Sequence, residues 1–133
     1  MRTRRTTGAA LACLALVMSA GAGFADDEAP SIDPIELKQR LDSAGAPAVI
    51  DVRTSAEFVL GHIPGAVNIP FDEVASRIGE VTAPHGVAVY CMRGPRARKG
   101  EANLLEAGYE AVLHIEGGLF AWQAAGLPIE TGP

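Results

Sequence analysis

One cysteine, Cys91, lies between an apolar run and a short basic turn. The run is Val87–Tyr90, and the turn reads Met-Arg-Gly-Pro-Arg-Ala from Met92 to Ala97. A thiol acts as a nucleophile only as the thiolate, which backbone N–H groups, a helix N-terminus and nearby cations all favour. Residues 91–97, called the Cys91 loop below, can supply all three. The pattern predicts a nucleophilic cysteine in a site for an anion.

The loop is predicted to form a cradle for one anionic group centred on the sulfur. Val87–Tyr90 is typical of a buried parallel strand, and ligands bind at the carboxyl ends of such strands. Gly94 permits a sharp reversal into a helix that begins near Arg96, so that successive N–H groups converge on the sulfur. The expected donors are the backbone N–H groups of Met92, Arg93, Gly94, Arg96 and Ala97.

The elements that must position this loop alternate between strands and helices. Short apolar runs predict strands over 48–52, 67–69, 87–90 and 112–115. Capping residues, turn residues and apolar spacing predict helices over 34–44, 55–60, 71–78, 96–107 and 119–125. This alternation predicts an α/β fold with a parallel sheet covered on both faces.

The first 25 residues have the pattern of a Sec-type signal peptide. Arg2, Arg4 and Arg5 precede the apolar stretch 9–18, and small residues lead up to Ala25. The stretch is shorter than the roughly 20 residues that cross a bilayer. We therefore expect cleavage after Ala25 and a periplasmic or secreted protein without a stable membrane anchor. A flexible leader over 26–32 and one domain over 33–133 are expected to remain.

The charge of the mature chain is strongly acidic except beside the thiol. Three of the eleven Lys and Arg residues lie in the leader and none of the sixteen acidic residues does, which leaves eight cations, sixteen anions and a net charge of −8. Such a surface argues against nucleic acid as a partner. Four of the eight cations follow the cysteine directly: Arg93, Arg96, Arg98 and Lys99.

Cleavage would also leave Cys91 as the one cysteine of the mature chain, because Cys13 lies in the leader. An exported domain commonly pairs its cysteines in disulfides, but this domain can form none internally. A buried cysteine of purely structural role is the plain alternative. The basic, glycine-containing turn favours a reactive thiol instead.

Four successive motifs resemble those of the rhodanese family. They are the stretches 51–58, 61–70, 90–97 and 116–122, which occur in the family's order and extend the likeness over about residues 33–130. The leader and the small size resemble the exported single-domain rhodaneses, which are thiosulfate sulfurtransferases. The resemblance implies a sheet of about five parallel strands with helices on both faces.

The resemblance also implies a chemistry and a set of roles. Cys91 would take the outer sulfur of thiosulfate as a persulfide and give it to cyanide or to a thiol, which includes a protein acceptor. Arg96 would orient the oxyanion, with Arg93 as the second candidate, and Arg53 would lie at the edge of the pocket. No cofactor and no metal are expected, and the domain is expected to work as a monomer.

Two further expectations concern packing rather than chemistry. His62 is expected to be a structural histidine in a turn, since its segment resembles a packing motif of the family. Trp122 and Phe120 are expected to anchor the last helix in the core. Neither the three histidines nor the cysteine has the spacing of a metal site.

Two other functions stay open at this point. Phosphatases and arsenate reductases of a related type separate their cysteine and arginine by five residues, whereas four residues separate Cys91 from Arg96. The shorter loop favours sulfur over phosphate. A binding module that carries a persulfide for a protein partner, with little turnover of its own, is the other alternative.

Overall fold

Five short strands form one parallel sheet in the computed structural model, which describes residues 28–133. In spatial order the sheet reads β1-β5-β4-β2-β3, so β4 lies at its centre. The strands are β1 (Ser31–Ile32), β2 (Ala48–Asp51), β3 (Val67–Asn68), β4 (Val87–Tyr90) and β5 (Val112–Ile115). The predicted signal peptide and its cleavage site lie outside the described residues.

The described residues form four helices: α1 (Pro34–Leu41), α2 (Ser55–Leu60) and α3 (Pro95–Glu106) lie between strands, and α4 (Gly118–Ala124) follows β5. Asp33 caps α1, since its carboxylate accepts the N–H of Ile35 at 2.8 Å. Thr54 and Glu57 form the predicted capping box at the start of α2. Helix α1 ends three residues earlier than predicted. Between residues 28 and 133 no helix is long and apolar enough to cross a membrane.

The sheet is covered on both faces, which confirms the predicted α/β fold. On one face Val87 and Val89 of β4 pack against Leu104 of α3. On the other face Ala88 and Tyr90 pack with Leu37, Leu119 and Trp122, which α1 and α4 contribute. The alternation along β4 is the two-residue period of a strand, and all four of its residues are buried. Side chains therefore pack on both faces of β4 up to its last residue, Tyr90.

The predicted helix over 71–78 is wrong. This segment is a run of turns followed by a 3-10 helix at Ile78–Glu80. Its backbone mixes bonds three residues back (Glu73 to Pro70, 2.8 Å) with bonds four residues back (Arg77 to Glu73, 2.9 Å). Both kinds of turn return to the same face every three to four residues. Val74 is consequently buried although no α-helix forms.

Strand β1 was not predicted, and the expected flexible leader over 26–32 needs correction at its end. Ser31 and Ile32 pair with His114 and Ile115 of β5, and Ile32 is only 2% exposed. A strand of two residues has no apolar period that a sequence could reveal. Pairing with β5 places this strand at the edge of the sheet, and no local sequence pattern marks it.

Candidate active site

Cys91 follows β4 directly, at the centre of the carboxyl edge of the sheet. Its side chain is buried, with 1% of the residue exposed. The sulfur accepts a hydrogen bond from the backbone N–H of Gly94, with a nitrogen–sulfur distance of 3.0 Å. A backbone donor at that distance stabilises a thiolate more than a thiol. The predicted nucleophile therefore has at least one of its predicted donors in place.

The N-terminus of α4 orients the first two peptide groups of the Cys91 loop. The N–H of Leu119 donates to the carbonyl oxygen of Cys91 at 2.9 Å, and the N–H of Phe120 donates to that of Met92 at 3.0 Å. In a planar trans peptide the carbonyl and the following N–H point in opposite directions. The N–H groups of Met92 and Arg93 consequently point away from α4. This is the orientation that an anion cradle needs.

The N-terminus of α3 supplies the other side of the cradle. Gly94 precedes the helix with a φ of +148°, a conformation that favours glycine. Pro95 occupies the first helical position, where a missing N–H costs nothing. Within residues 28–133, the N–H groups of Arg96 and Ala97 have no acceptor. They are the free donors of a twelve-residue helix, whose positive end attracts anions.

Arg96 forms an ion pair with Glu57 in the first turn of α2. Its two terminal nitrogens lie 2.7 and 3.1 Å from the carboxylate oxygens of Glu57. The hydrogen bonds from Arg96 lower the pKa of Glu57 to about 2, so the pair is fully charged at neutral pH. The structure thus gives Arg96 a carboxylate partner, whereas the sequence suggested a substrate oxyanion.

Arg93 is the exposed arginine of the loop. Its guanidinium carbon lies 4.0 Å from the centre of the Phe120 ring, a cation–π contact. Within the described chain no carboxylate pairs with it. Phe120 is 51% exposed, so the expectation that it anchors α4 in the core is wrong. Trp122 does anchor this helix, as predicted: it is fully buried, and its indole N–H donates to the Pro128 carbonyl at 2.7 Å.

Arg53 is a buried structural residue with one edge at a cleft. It bonds to both carboxylate oxygens of Asp51, at 2.6 to 3.1 Å, and to the carbonyl of Gly61 at 2.7 Å. Both members of this pair are essentially inaccessible. The guanidinium is satisfied by these partners, which leaves it little capacity to bind a substrate.

An open cleft of about 180 Å³ lies beside the Cys91 loop, between α2 and α4. Its lining residues are Arg53, Glu57, Leu60, Gly61, Met92, Leu119 and Gln123. Leu60 is 82% exposed, which is unusual for a leucine and gives the cleft an apolar rim. A larger groove of about 600 Å³ runs along α3 and β5, but no residue of the Cys91 loop lines it. The smaller cleft thus adjoins the Cys91 loop, through Met92.

Two of the three histidines are buried, each in a different environment. His62 is structural, as predicted: Nδ1 lies 2.8 Å from the carbonyl of Phe58, and the two rings stack with centroids 3.7 Å apart. His114 forms a buried pair with Glu101 that sequence analysis missed. The sequence did indicate this pair. Glu101 is a charged residue within the apolar stripe of α3, and His114 lies on the same face of a buried strand as Val112. Over residues 28–133 no three His, Cys, Asp or Glu side chains form a metal-binding group.

Comparison with known proteins gives consistent matches. The family described as rhodanese-like domain matches residues 33–125. A sulfurtransferase of Allochromatium vinosum is 38% identical over 98 residues, which cover 74% of this chain and 92% of that protein. Thiosulfate sulfurtransferase 16, chloroplastic, of Arabidopsis thaliana is 35% identical over 97 residues, covering 62% of this chain and 78% of that protein.

A solved structure agrees with these matches. The crystal structure of a rhodanese-related protein from Thermoplasma volcanium superposes with a TM-score of 0.70 and 27% sequence identity. The superposition covers 77% of this chain and 99% of that one. The likeness therefore extends over the whole of that domain, including the central strand and the loop that follows it.

Proposed function

The chain belongs to the rhodanese family, and on that premise we propose that it is a sulfurtransferase that takes sulfur from thiosulfate through a persulfide on Cys91. The acceptor is cyanide in an assay and a thiol in the cell. The observation that supports this most directly is the 3.0 Å hydrogen bond from the Gly94 N–H to the Cys91 sulfur. It lies at the positive end of α3, where a thiolate and an anionic donor are both favoured.

The transfer has two steps. In the first, the Cys91 thiolate attacks the outer sulfur of thiosulfate, a new S–S bond forms, and sulfite leaves with the electron pair of the bond that breaks. In the second, cyanide or an acceptor thiolate attacks the outer sulfur of the persulfide, and Cys91 leaves as a thiolate. Both steps develop negative charge beside the loop, where the backbone N–H groups can stabilise it.

Arg93 is the side chain that we assign to the oxyanion of thiosulfate. Its guanidinium is free of carboxylates in the described structure and is held over Phe120 beside the loop. Arg96 is assigned a supporting role, because its pair with Glu57 ties the start of α3 to α2. This order of roles reverses the one that the family resemblance suggested.

A persulfide carrier is the second candidate function. The sulfur is nearly inaccessible, so a persulfide there would be shielded from solvent. No second cysteine occurs in residues 28–133 to resolve it into a disulfide. A carrier would load as an enzyme does but discharge slowly to small acceptors. Turnover with cyanide therefore separates the two candidates.

We further propose that the mature domain is periplasmic or secreted. The support is the pattern of residues 1–25, with its basic start, apolar centre and small residues before Ala25. Expression of the full chain, cell fractionation and the mass of the periplasmic form would test this. Retention of residues 1–25 would contradict it.

The test of the function is the intact mass of the mature protein before thiosulfate, after thiosulfate, and after cyanide. The expected result is a gain of one sulfur atom, which cyanide then removes as thiocyanate. Cys91→Ser is the matched control and should gain nothing. A free, alkylatable thiol with no gain in mass would reject thiosulfate as the donor. Faster hydrolysis of an aryl phosphate than sulfur transfer would favour the phosphatase alternative.

A further inference from the structure

A buried histidine–carboxylate pair lies close to the Cys91 loop and takes no part in the sulfur transfer described above. His114 on β5 is 7% exposed and Glu101 on α3 is 1% exposed. Nδ1 of His114 lies 2.6 Å from a carboxylate oxygen of Glu101. A carboxylate at that distance fixes the proton on Nδ1 and the orientation of the ring. The opposite edge of the imidazole, with Nε2, is left for another contact.

That opposite edge faces Gly94. A Cβ placed on Gly94 would lie 3.6 Å from Nε2 of His114 and 3.7 Å from Cε1, which is van der Waals contact. Gly94 is also the residue whose N–H donates to the Cys91 sulfur. One glycine therefore separates the imidazole from the hydrogen bond that supports the nucleophile. In the described part of the chain, Nε2 has no hydrogen-bond partner.

Glu101 also contacts a second charged residue, Arg98. Arg98 lies 3.3 Å from the second carboxylate oxygen of Glu101 and donates to the carbonyl of Ala29 at 2.7 Å. Glu28 lies 4.0 Å from the same guanidinium. The charged or titratable groups around His114 are thus Glu101, Arg98, Glu28 and, through Gly94, the Cys91 thiol. These groups form a series that extends from the segment before β1 to the Cys91 sulfur.

Packing alone does not account for this arrangement. The same face of the sheet is filled elsewhere by residues such as Leu104 and Val112. A buried pair of polar groups loses its hydration and is often no more stabilising than apolar residues of similar volume. Stability is therefore weak grounds for burying such a pair, and the free imidazole edge faces the turn beside the nucleophile. The arrangement is better explained by what it does to that turn.

We propose that Glu101 and His114 are positioning residues for the nucleophile. Glu101 holds the imidazole beside Gly94, in the space next to its Cα, and this packing keeps the turn in the conformation that aims the Gly94 N–H at the Cys91 sulfur. The inference rests on the proposed role of Cys91, but it concerns the reactivity of the thiol and not the identity of the sulfur donor.

The test measures alkylation of Cys91 by iodoacetamide across pH, which needs no sulfur transfer. Glu101→Gln keeps the size of the side chain but removes its charge. The double variant Glu101→Leu with His114→Leu keeps the space filled and removes both polar groups. His62→Gln is the control, since it alters a buried histidine that lies against Phe58, not against the loop.

Both test variants should alkylate about three- to tenfold more slowly than the wild type at pH 7, with the pH profile moved to higher pH. The His62→Gln control should alkylate as the wild type does. Thermal unfolding of each variant confirms that it is folded, and the double variant remains informative if the single one is not. A folded test variant with the wild-type alkylation profile would overturn the proposal. A wild-type protein that alkylates but never takes sulfur from thiosulfate would count against the proposed function alone.

Discussion

Replacing Gly118 with alanine would place a methyl group against the backbone of the Cys91 loop. The added Cβ would lie 2.5 Å from the carbonyl oxygen of Cys91, 2.6 Å from that of Met92 and 2.8 Å from the Met92 carbonyl carbon. All three atoms belong to the main chain, so no side-chain rotation relieves the contact. Either α4 or the loop must move.

The magnitude follows from two terms. Gly118 has a φ of +59°, and alanine in this left-handed region costs about 1 kcal/mol. Overpacking against fixed atoms adds about 1 to 3 kcal/mol. We therefore expect Gly118→Ala to lower the free energy of unfolding by about 2 to 4 kcal/mol. Gly126→Ala is the matched control, because Gly126 has a φ of +71° and no neighbour within 4 Å. For Gly126→Ala the free energy of unfolding should fall by only about 1 kcal/mol.

The same change should impair the site more than the fold. Moving α4 pulls the N–H groups of Leu119 and Phe120 from the carbonyls of Cys91 and Met92, which lets the cradle N–H groups rotate. A misplacement of about 1 Å near reacting atoms can cost about a hundredfold in kcat/KM.

The assays are urea unfolding and thiosulfate:cyanide transfer, with iodoacetamide alkylation as a readout that is independent of the donor. If Gly118→Ala and Gly126→Ala had equal stability and equal rates, the account of how α4 orients the loop would be refuted.

Four other substitutions test the roles assigned to side chains. Cys91→Ser should keep the wild-type circular dichroism spectrum and take up no sulfur by intact mass; a persulfide elsewhere would contradict the assignment. Arg96 lowers the pKa of Glu57 to about 2 from the ordinary 4.5, so the pair stabilises the fold above pH 4.5 and loses this effect as pH falls toward 2. Glu57→Gln should lower the free energy of unfolding by about 1 kcal/mol at pH 7, a value reduced to allow for screening of the pair by solvent. In urea unfolding, the stability of this variant should also fall less as the pH is lowered. A pH dependence of stability equal to that of the wild type would argue against the pair. Arg93→Ala should raise KM for thiosulfate about tenfold with kcat within about twofold, as loss of one charged contact implies, and Phe120→Ala should give a smaller rise; an effect on kcat alone would remove Arg93 from thiosulfate binding.

The central strands were predictable because burial on both faces leaves an apolar run in the sequence. Val87–Tyr90 is such a run, and it forms β4 with the predicted bounds. The segment 71–78 shows the limit of the same reasoning, since apolar spacing specifies a buried face and not the kind of turn that presents it. Strand β1 depends on pairing with β5, and a contact between distant residues leaves no local pattern.

The site was predictable as far as its chemistry depends on local sequence. The order of Cys91, Gly94 and Pro95 defines the turn, and the turn defines which N–H groups are free. The partners of the arginines were not predictable in this way. Arg96 and Glu57 are 39 positions apart, and only the tertiary fold, which places the first turns of α2 and α3 within side-chain reach, brings them together.

Recognition of the anion at this site depends more on the backbone than on charged side chains. The peptide groups after Cys91 and Met92 have their carbonyls bound to α4, so their N–H groups must point toward the cradle. A peptide N–H neither titrates nor changes rotamer, and no further side-chain entropy is lost when it binds an anion. Substitution of Arg93 should therefore remove one side-chain contact to the anion, whereas rotation of these two peptide planes removes two backbone donors at once. This difference is why we expect Gly118→Ala, which changes no charge, to impair sulfur transfer more than the loss of Arg93.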